Sequence, residues 1–466
     1  MTEEMSMRPD VRNKVYWVVG LARSGCAAGD LLRRHGATVI GIDDADEVTV
    51  RRRWETEGLT NLAPRAFDEL ATGGNWPHEL PEAVVISPGV PPVHTRLRSL
   101  PAEVEVLGEL ELGARFCAAD LIAITGTNGK STTTELVAHL ARRAGRRAEA
   151  LGNVGRPLCR VADELPREAV AVLEVSSFQL ETVRLMRPQV GVVLNLAPDH
   201  LDRYPDLESY YAAKRVLPRL LPADGTYVTW TECPEARAWP TAARHLLFGA
   251  AQDGAEVYYR QQQLVAALNG TEGPLLGQDE LALQSPPNLT NALAATATGL
   301  AYGLDPEAVA DGLRDFPGLA HRHQLVGVRG EVHFIDDTKA TNVHSVCAGL
   351  IGYPRPVVLI AGGSGKGEDY GPLRQAMDAV RHVVLLGQEG PAIGRAVEDL
   401  VPCSVAATMS EAVARAADLA EPDGVVLLSP ACASFDMFAN YRARGLAFAD
   451  AALQVGAAPP PVAIRE

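Results

Sequence analysis

Along the chain, short apolar runs alternate with longer stretches of mixed polarity. Apolar runs at residues 14–20, 37–42, 83–87, 121–124, 169–175, 190–195, 332–335, 356–360, 382–386 and 425–428 have the length and aliphatic content of buried strands. Helical spacing follows many of them, over 26–34, 131–140, 207–221 and onward from 286–292. Strands alternating with helices predict an α/β protein with mainly parallel sheets. The stretch 101–120 reads as a helical connector, and 226–283 as short β-like pieces at a less regular edge. F-P-G-L-A-H-R-H-Q, at 316–324, reads as a linker. The expected division is three domains, 1–108, 109–318 and 319–466, in line with about three for 466 residues.

Composition narrows the class. An apolar share of 47% describes a globular protein with an ample core, and the net charge of −15 argues against a nucleic-acid partner. Seven cysteines without a C-x-x-C pair suit a reducing compartment. No apolar run approaches a membrane span, and M-T-E-E-M-S-M-R-P-D lacks the regions of a signal peptide. The expectation is a cytoplasmic protein with no membrane partner.

The densest chemistry lies at L-I-A-I-T-G-T-N-G-K-S-T, where the run 121–124 leads through Gly126, Thr127, Asn128 and Gly129 into a helix. Such a turn aims backbone N–H groups and a positive helix end at one point, which suits a phosphate chain. Lys130 would reach the terminal phosphates, and Ser131, followed by Thr132, would help complete a Mg²⁺ shell. Ile124 stands where the ordinary phosphate loop has a glycine, so this is a shortened form of a nucleoside triphosphate site. The first domain carries a degraded dinucleotide fingerprint, G-L-A-R-S-G, with Ala22 in place of the middle glycine and Asp43 and Asp44 about 20 positions on. It reads equally as a Rossmann-like scaffold or as a nucleotide site of another kind. S-P-G-V-P-P, after 83–87, lies at a strand edge where ligands of open sheets gather.

Glu174 ends an apolar strand, so its carboxylate needs a partner, and a metal ion is one option. His200, between Asp199 and Asp202, reads evenly as a loop histidine or as a metal or phosphate contact. Composition makes Lys214 a surface residue. Asn288 caps the helix beginning near 286, and with Asn291 it can read a purine edge. A second glycine-lysine loop, at Lys366, lacks a following Ser or Thr and suits a substrate or phosphate contact. One triphosphate loop with acidic and histidine metal candidates on three α/β domains suits a ligase joining two substrates.

These motifs resemble the Mur ligases over essentially the whole chain. I-T-G-T-N-G-K-S-T is shared with folylpolyglutamate synthases, whereas L-E-V-S-S-F-Q-L-E, P-D-H-L-D-R-Y, D-D-T-K-A-T-N and L-L-S-P-A-C-A-S-F-D-M-F resemble the D-glutamate-adding branch. The resemblance implies a Rossmann-like N-terminal domain, a central P-loop ATPase-like domain with a parallel sheet, and a C-terminal Rossmann-like domain. It implies a monomeric ATP-dependent ligase that adds D-glutamate to UDP-N-acetylmuramoyl-L-alanine through an acyl phosphate in peptidoglycan synthesis. Lys130, Ser131 and Glu174 would handle ATP and one Mg²⁺. His200 and Lys214 would serve a second, Lys214 as a carbamate formed with CO₂, which reverses the surface reading. Gly126–Thr132, Asn288, Asn291, Arg322, Asp337 and Lys339 would hold ATP. Ser24, Asp43, Ser87, Gly89, Asn153, Ser176, Gln179 and His200 would meet the uridine nucleotide-sugar. Thr341, Lys366, Ser434, Phe435 and Tyr441 would hold D-glutamate. The chain departs from the pattern at Pro287 (usually His), at H-R-H-Q (usually H-R-F-E), at D-D-T (usually N-D-S) and at Tyr441 (usually Phe). Two other readings are another amino-acid ligase of this superfamily and a non-catalytic nucleotide-sensing scaffold.

Overall fold

Runs such as V-Y-W-V-V form strands because aliphatic side chains can be covered on both faces of a parallel sheet. In the computed structural model, which describes residues 8–200, 203–268, 270–365 and 367–460, the strands make three sheets. The first has the order Glu69–Thr72, Thr38–Asp43, Val15–Val19, Ala83–Ile86, Glu105–Gly108, and all its pairings are parallel. The second runs parallel from Ala148–Gly152 through Val170–Glu174, Asp120–Thr125, Val190–Val193, Thr226–Trp230 and Arg244–Gly249 to Val257–Arg260. Gln263–Leu268 then adds antiparallel, followed by Thr271–Gly277. The third has the order Gln324–Arg329, Val332–Asp336, Val425–Leu428, Val357–Gly362, Val380–Leu386, Cys403–Val405, with one antiparallel pair at its start.

The predicted α/β class and parallel sheets are therefore present. Two elements differ from expectation. The stretch 101–120 is not simply helical: Glu105–Gly108 closes the first sheet before the helix Glu109–Phe116 begins. The stretch 207–221 is two helices, Leu207–Lys214 and Val216–Leu220, joined through Arg215. Pro218 cannot donate its missing amide to a continuous helix.

The chain divides into two compact units. One holds the first two sheets, and the other holds the third sheet together with residues 276–292 and 197–199. Within the first unit a single apolar cluster runs from Val11 to Ala236 and joins the helix Arg23–Arg34 to Leu158, Cys159, Ala162 and Leu165. Buried Asp30 strengthens that junction, accepting Arg65 at 2.8 Å, Arg160 at 3.1 Å and Arg34 at 3.3 Å. In the second unit, alternate residues of Val357–Gly362 feed two cores. Val357, Leu359 and Ala361 face one and Val358 and Ile360 the other, as the period of a strand requires. Among the described residues no helix is long and apolar enough to cross a membrane.

Candidate active site

The strand Asp120–Thr125 lies between Val170–Glu174 and Val190–Val193, so the C-terminal ends of all three meet at one edge. The phosphate loop leaves from that edge. Gly126 has φ +150°, and a Cβ there would stand 3.0 Å from Leu194 Cβ and 3.2 Å from the Asn195 amide nitrogen. Only glycine fits both the backbone and the space. Gly129, at φ +82°, turns the chain into the 14-residue helix Lys130–Arg143. Asn195, at the end of the neighbouring strand, latches the loop. Its Oδ1 accepts from Asn128 N at 2.8 Å, its Nδ2 donates to Asn128 O at 3.0 Å, and its carbonyl accepts from Thr127 N at 2.9 Å. Lys130 Nζ folds back to Gly126 O at 3.0 Å and Thr127 O at 2.8 Å. Ser131 and Thr132 are buried in the first helical turn.

Glu174 sits beside Ile124 in the register, at the same edge. It is 3% exposed; Oε1 accepts from Asn153 Nδ2 at 2.9 Å, while Oε2 is buried with no partner. A carboxylate oxygen left unpaired out of water is costly, and a hard cation is the natural complement. The unpaired Glu174 oxygen thus fits a ligand of Mg²⁺. Among the described residues no group of three or more His, Cys, Asp and Glu side chains is placed to hold a metal. Phosphate oxygens and water would complete the shell, as Mg²⁺ commonly requires.

Lys214 is not the surface residue that composition suggests. It is 1% exposed, because the helix Leu207–Lys214 delivers it beneath the loop. Its Nζ donates to Gly126 O at 2.9 Å and lies 4.8 Å from the centroid of the Tyr210 ring. His200 is exposed, has φ +56°, and packs its ring 4.8 Å from Phe178 and 5.9 Å from Tyr210. Tyr210 thus neighbours both His200 and Lys214.

In the first sheet, Gly20 turns at φ +86° and Ser87 Oγ donates to its carbonyl at 2.6 Å. Asp43 is engaged in holding that turn: it accepts from Leu21 N and Ala45 N, each at 3.1 Å, and from Arg53 at 2.9 Å. Ser24 lies half-buried in the helix that follows. A narrow cleft, with room for about one water molecule, lies beside the Ser87-Pro88 turn and is lined by Ser87, Pro88, Glu109, Phe178 and Gln179, among others. Ser176 and Gln179 form a capping box, with Gln179 Oε1 accepting from Ser176 N at 2.9 Å. Two residues expected at the sugar nucleotide, Ser87 and Gln179, therefore share one cleft, while Asn153 turns to Glu174.

The second unit gathers another set. Asp337 accepts from Ser429 Oγ at 3.0 Å and from His323 N at 3.2 Å, and Asp336 contacts His321 Nδ1 at 2.7 Å. Lys339 Nζ stands 3.8 Å from the Tyr441 ring centroid. Burial raises the Tyr441 hydroxyl pKa, but Arg442 and Lys339 outweigh it and hold the group below its ordinary value. Thr341 N donates to Lys339 O at 2.9 Å. Buried Arg444 joins two motifs, donating to Thr338 Oγ1 at 2.7 Å and to the Cys432 and Ala433 carbonyls at 3.0 and 3.1 Å. Ser434 is buried beside that hub, whereas Phe435 is 74% exposed. Asn288 lies within the first turn of Pro286–Ala301 rather than capping it. Its Nδ2 donates to Ser285 Oγ at 2.9 Å and its Oδ1 accepts from Asn291 at 3.3 Å. Arg322 is half-buried next to His321, whose amide donates to Gln324 Oε1 at 2.9 Å. Lys366 lies outside the described residues.

Sequence reasoning passed over Asn195, Tyr210 and Arg444. Asn195 had a signal, since it ends an apolar strand next to the loop. Arg444 had none, because a buried guanidinium served only by neutral oxygens resembles any surface arginine in sequence.

Comparison with known proteins gives concordant matches. Residues 124–299 match the Mur ligase middle domain, and 321–432 the Mur ligase, glutamate ligase domain. The chain is 40% identical to UDP-N-acetylmuramoylalanine--D-glutamate ligase of Anaeromyxobacter dehalogenans, covering 94% of this chain and 97% of that one. It is 38% identical to the protein of that name in Salinibacter ruber, over 95% and 98% of the two. Among solved structures, MurF from Acinetobacter baumannii superposes with a TM-score of 0.58 at 19% identity, over 89% of this chain and 90% of that one. MurF ligase from Thermotoga maritima in complex with ADP gives 0.55 at 15% identity, over 96% and 97%.

Proposed function

The chain belongs to the Mur ligase family of ATP-dependent amino-acid ligases, and from that premise we propose that it joins D-glutamate to UDP-N-acetylmuramoyl-L-alanine in peptidoglycan synthesis. The observation that carries the reading is the convergence of the latched phosphate loop, Glu174 and buried Lys214 on one strand edge.

The acceptor's terminal carboxylate attacks the γ-phosphorus of ATP, the bond to the ADP oxygen breaks, and an acyl phosphate forms. Lys130 and the helix N-terminus offset the charge that gathers there. Ser131 and Glu174 would hold one Mg²⁺, and His200 and Lys214 a second. When bound, Mg²⁺ supplies charge neutralisation on the phosphate oxygens. A carbamate on Lys214 would turn a buried cation into an anionic ligand. The amine of D-glutamate then attacks the acyl carbon, and inorganic phosphate leaves with the electron pair of the broken C–O bond. Exclusion of water protects the acyl phosphate from hydrolysis. Asn288, Asn291, Arg322, Asp337 and Lys339 are assigned to ATP. Ser24, Asp43, Ser87, Gly89, Asn153, Ser176 and Gln179 are assigned to the acceptor, with Asp43 acting by shaping its turn. Thr341, Lys366, Ser434, Phe435 and Tyr441 are assigned to D-glutamate.

The test is incubation with ATP, Mg²⁺, UDP-N-acetylmuramoyl-L-alanine and either D- or L-glutamate, followed by product mass. Product with D-glutamate and release of ADP are expected. Product with L-glutamate alone, or none, sinks the reading.

A further inference from the structure

Arg203 stands next to the site and has no role in the reaction outlined above. Its amide and that of Tyr204 both donate to the His200 carbonyl, each at 3.0 Å. Its side chain, 17% exposed, then makes three different contacts. Nη2 donates to Glu181 Oε2 at 2.8 Å, Nη1 approaches the Pro88 carbonyl at 3.4 Å, and the guanidinium carbon lies 4.2 Å from the Phe178 ring centroid. The Phe178 ring in turn packs against the His200 ring, and Phe178 and Pro88 both line the cleft. The Tyr204 hydroxyl donates to the other oxygen of Glu181, which fixes that carboxylate from a second side.

We infer that Arg203 is a positioning residue for the ligation, holding the Ser87-Pro88-Gly89 turn and the Phe178 face of the cleft at a set spacing. The inference rests on the reading of the cleft as the acceptor site. Its physical basis is the shape of the guanidinium. A planar fork can stack on an aromatic face while donating to two oxygens in different directions, whereas an ammonium offers one point charge and no plane. Glu181 already neutralises the charge of Arg203, so the side chain is committed to protein partners rather than to the acceptor's diphosphate.

That commitment separates positioning from direct anion binding. If Arg203 positions, Glu181→Gln loosens the fork and weakens the acceptor. If Arg203 binds the diphosphate, Glu181→Gln releases it and strengthens the acceptor. The experiment uses the full chain and measures acceptor affinity by calorimetry without ATP, steady-state kcat and KM for acceptor and ATP, and melting temperature. Arg203→Lys and Glu181→Gln are each expected to raise the acceptor Kd and KM about tenfold, short of the roughly hundredfold that a 1 Å misplacement at a reacting centre can cost. The KM for ATP and the melting temperature should stay near wild type. Tighter acceptor binding in Glu181→Gln, unchanged acceptor constants, or a parallel rise in ATP KM with a lower melting temperature each overturns the inference. A wild-type chain that neither binds nor turns over the acceptor overturns the functional reading and this inference together. An active wild type with unaffected variants overturns this inference alone.

Discussion

Lys130 is tied back into its own loop. Its ammonium is held by the Gly126 and Thr127 carbonyls, and the proposed contact with phosphate would replace them. Lys130→Ala is expected to reduce ADP release by roughly 10²–10³, the scale for removing one preorganised donor from developing charge, while acceptor binding measured by calorimetry survives. Loss of both would indicate misfolding and leave the role unsupported. Lys214 is the opposite case, a cation sealed beneath the loop by tertiary packing. Lys214→Ala should be nearly inactive, with partial recovery on adding a short carboxylate such as acetate. Near-normal activity without any addition would defeat the carbamate assignment. The placement of Lys130 and Glu174 at one strand edge was legible because a motif and a strand end mark them. The burial of Lys214 was not, since it depends on where a helix lands and not on its neighbours in sequence.

At the scale of elements, the phosphate loop is stabilised from outside itself. Asn195 contributes two side-chain hydrogen bonds and one backbone acceptor from the adjoining strand. Asn195→Ala removes the two side-chain bonds, with an expected loss of about 1–3 kcal/mol in a denaturant titration and an ATP KM raised about tenfold. An ATP KM that stays put would show that the loop holds its shape without the latch. The strands of the three sheets were largely readable because covering on both faces demands continuous apolar runs. Glu105–Gly108 escaped notice, being four residues long with a charged start, and only its pairing to Ala83–Ile86 makes it a strand. The break after Lys214 was also hidden, although Pro218 was in plain view.

For the molecule as a whole, a buried acid sets one part of the pH response. Glu109 is 1% exposed; its Oε1 accepts from Cys159 N at 2.7 Å and its Oε2 has no partner. Burial pushes its carboxyl up from 4.5 to about 7. The folded protein therefore binds this proton more tightly than the unfolded chain. Below pH 4.5 both states carry it and its stabilising contribution is complete. As pH rises from 4.5 to about 7, the unfolded chain releases the proton first and stability falls, by about 3 kcal/mol in all. Glu109→Gln should flatten the dependence of unfolding free energy on pH across that window. An unchanged slope would show that the ionised form is accommodated.

The apolar cluster shared by the first two sheets also bears on recombination between related genes. A crossover near residue 108 would graft the first sheet of one relative onto the second sheet of another. It would split a core that includes both Leu31 and Leu158, and would leave Asp30 facing a foreign partner in place of Arg160. Viable chimeras should therefore carry residues 158–165 along with the first sheet, and whatever preference that sheet confers should be inherited in blocks larger than the sheet itself.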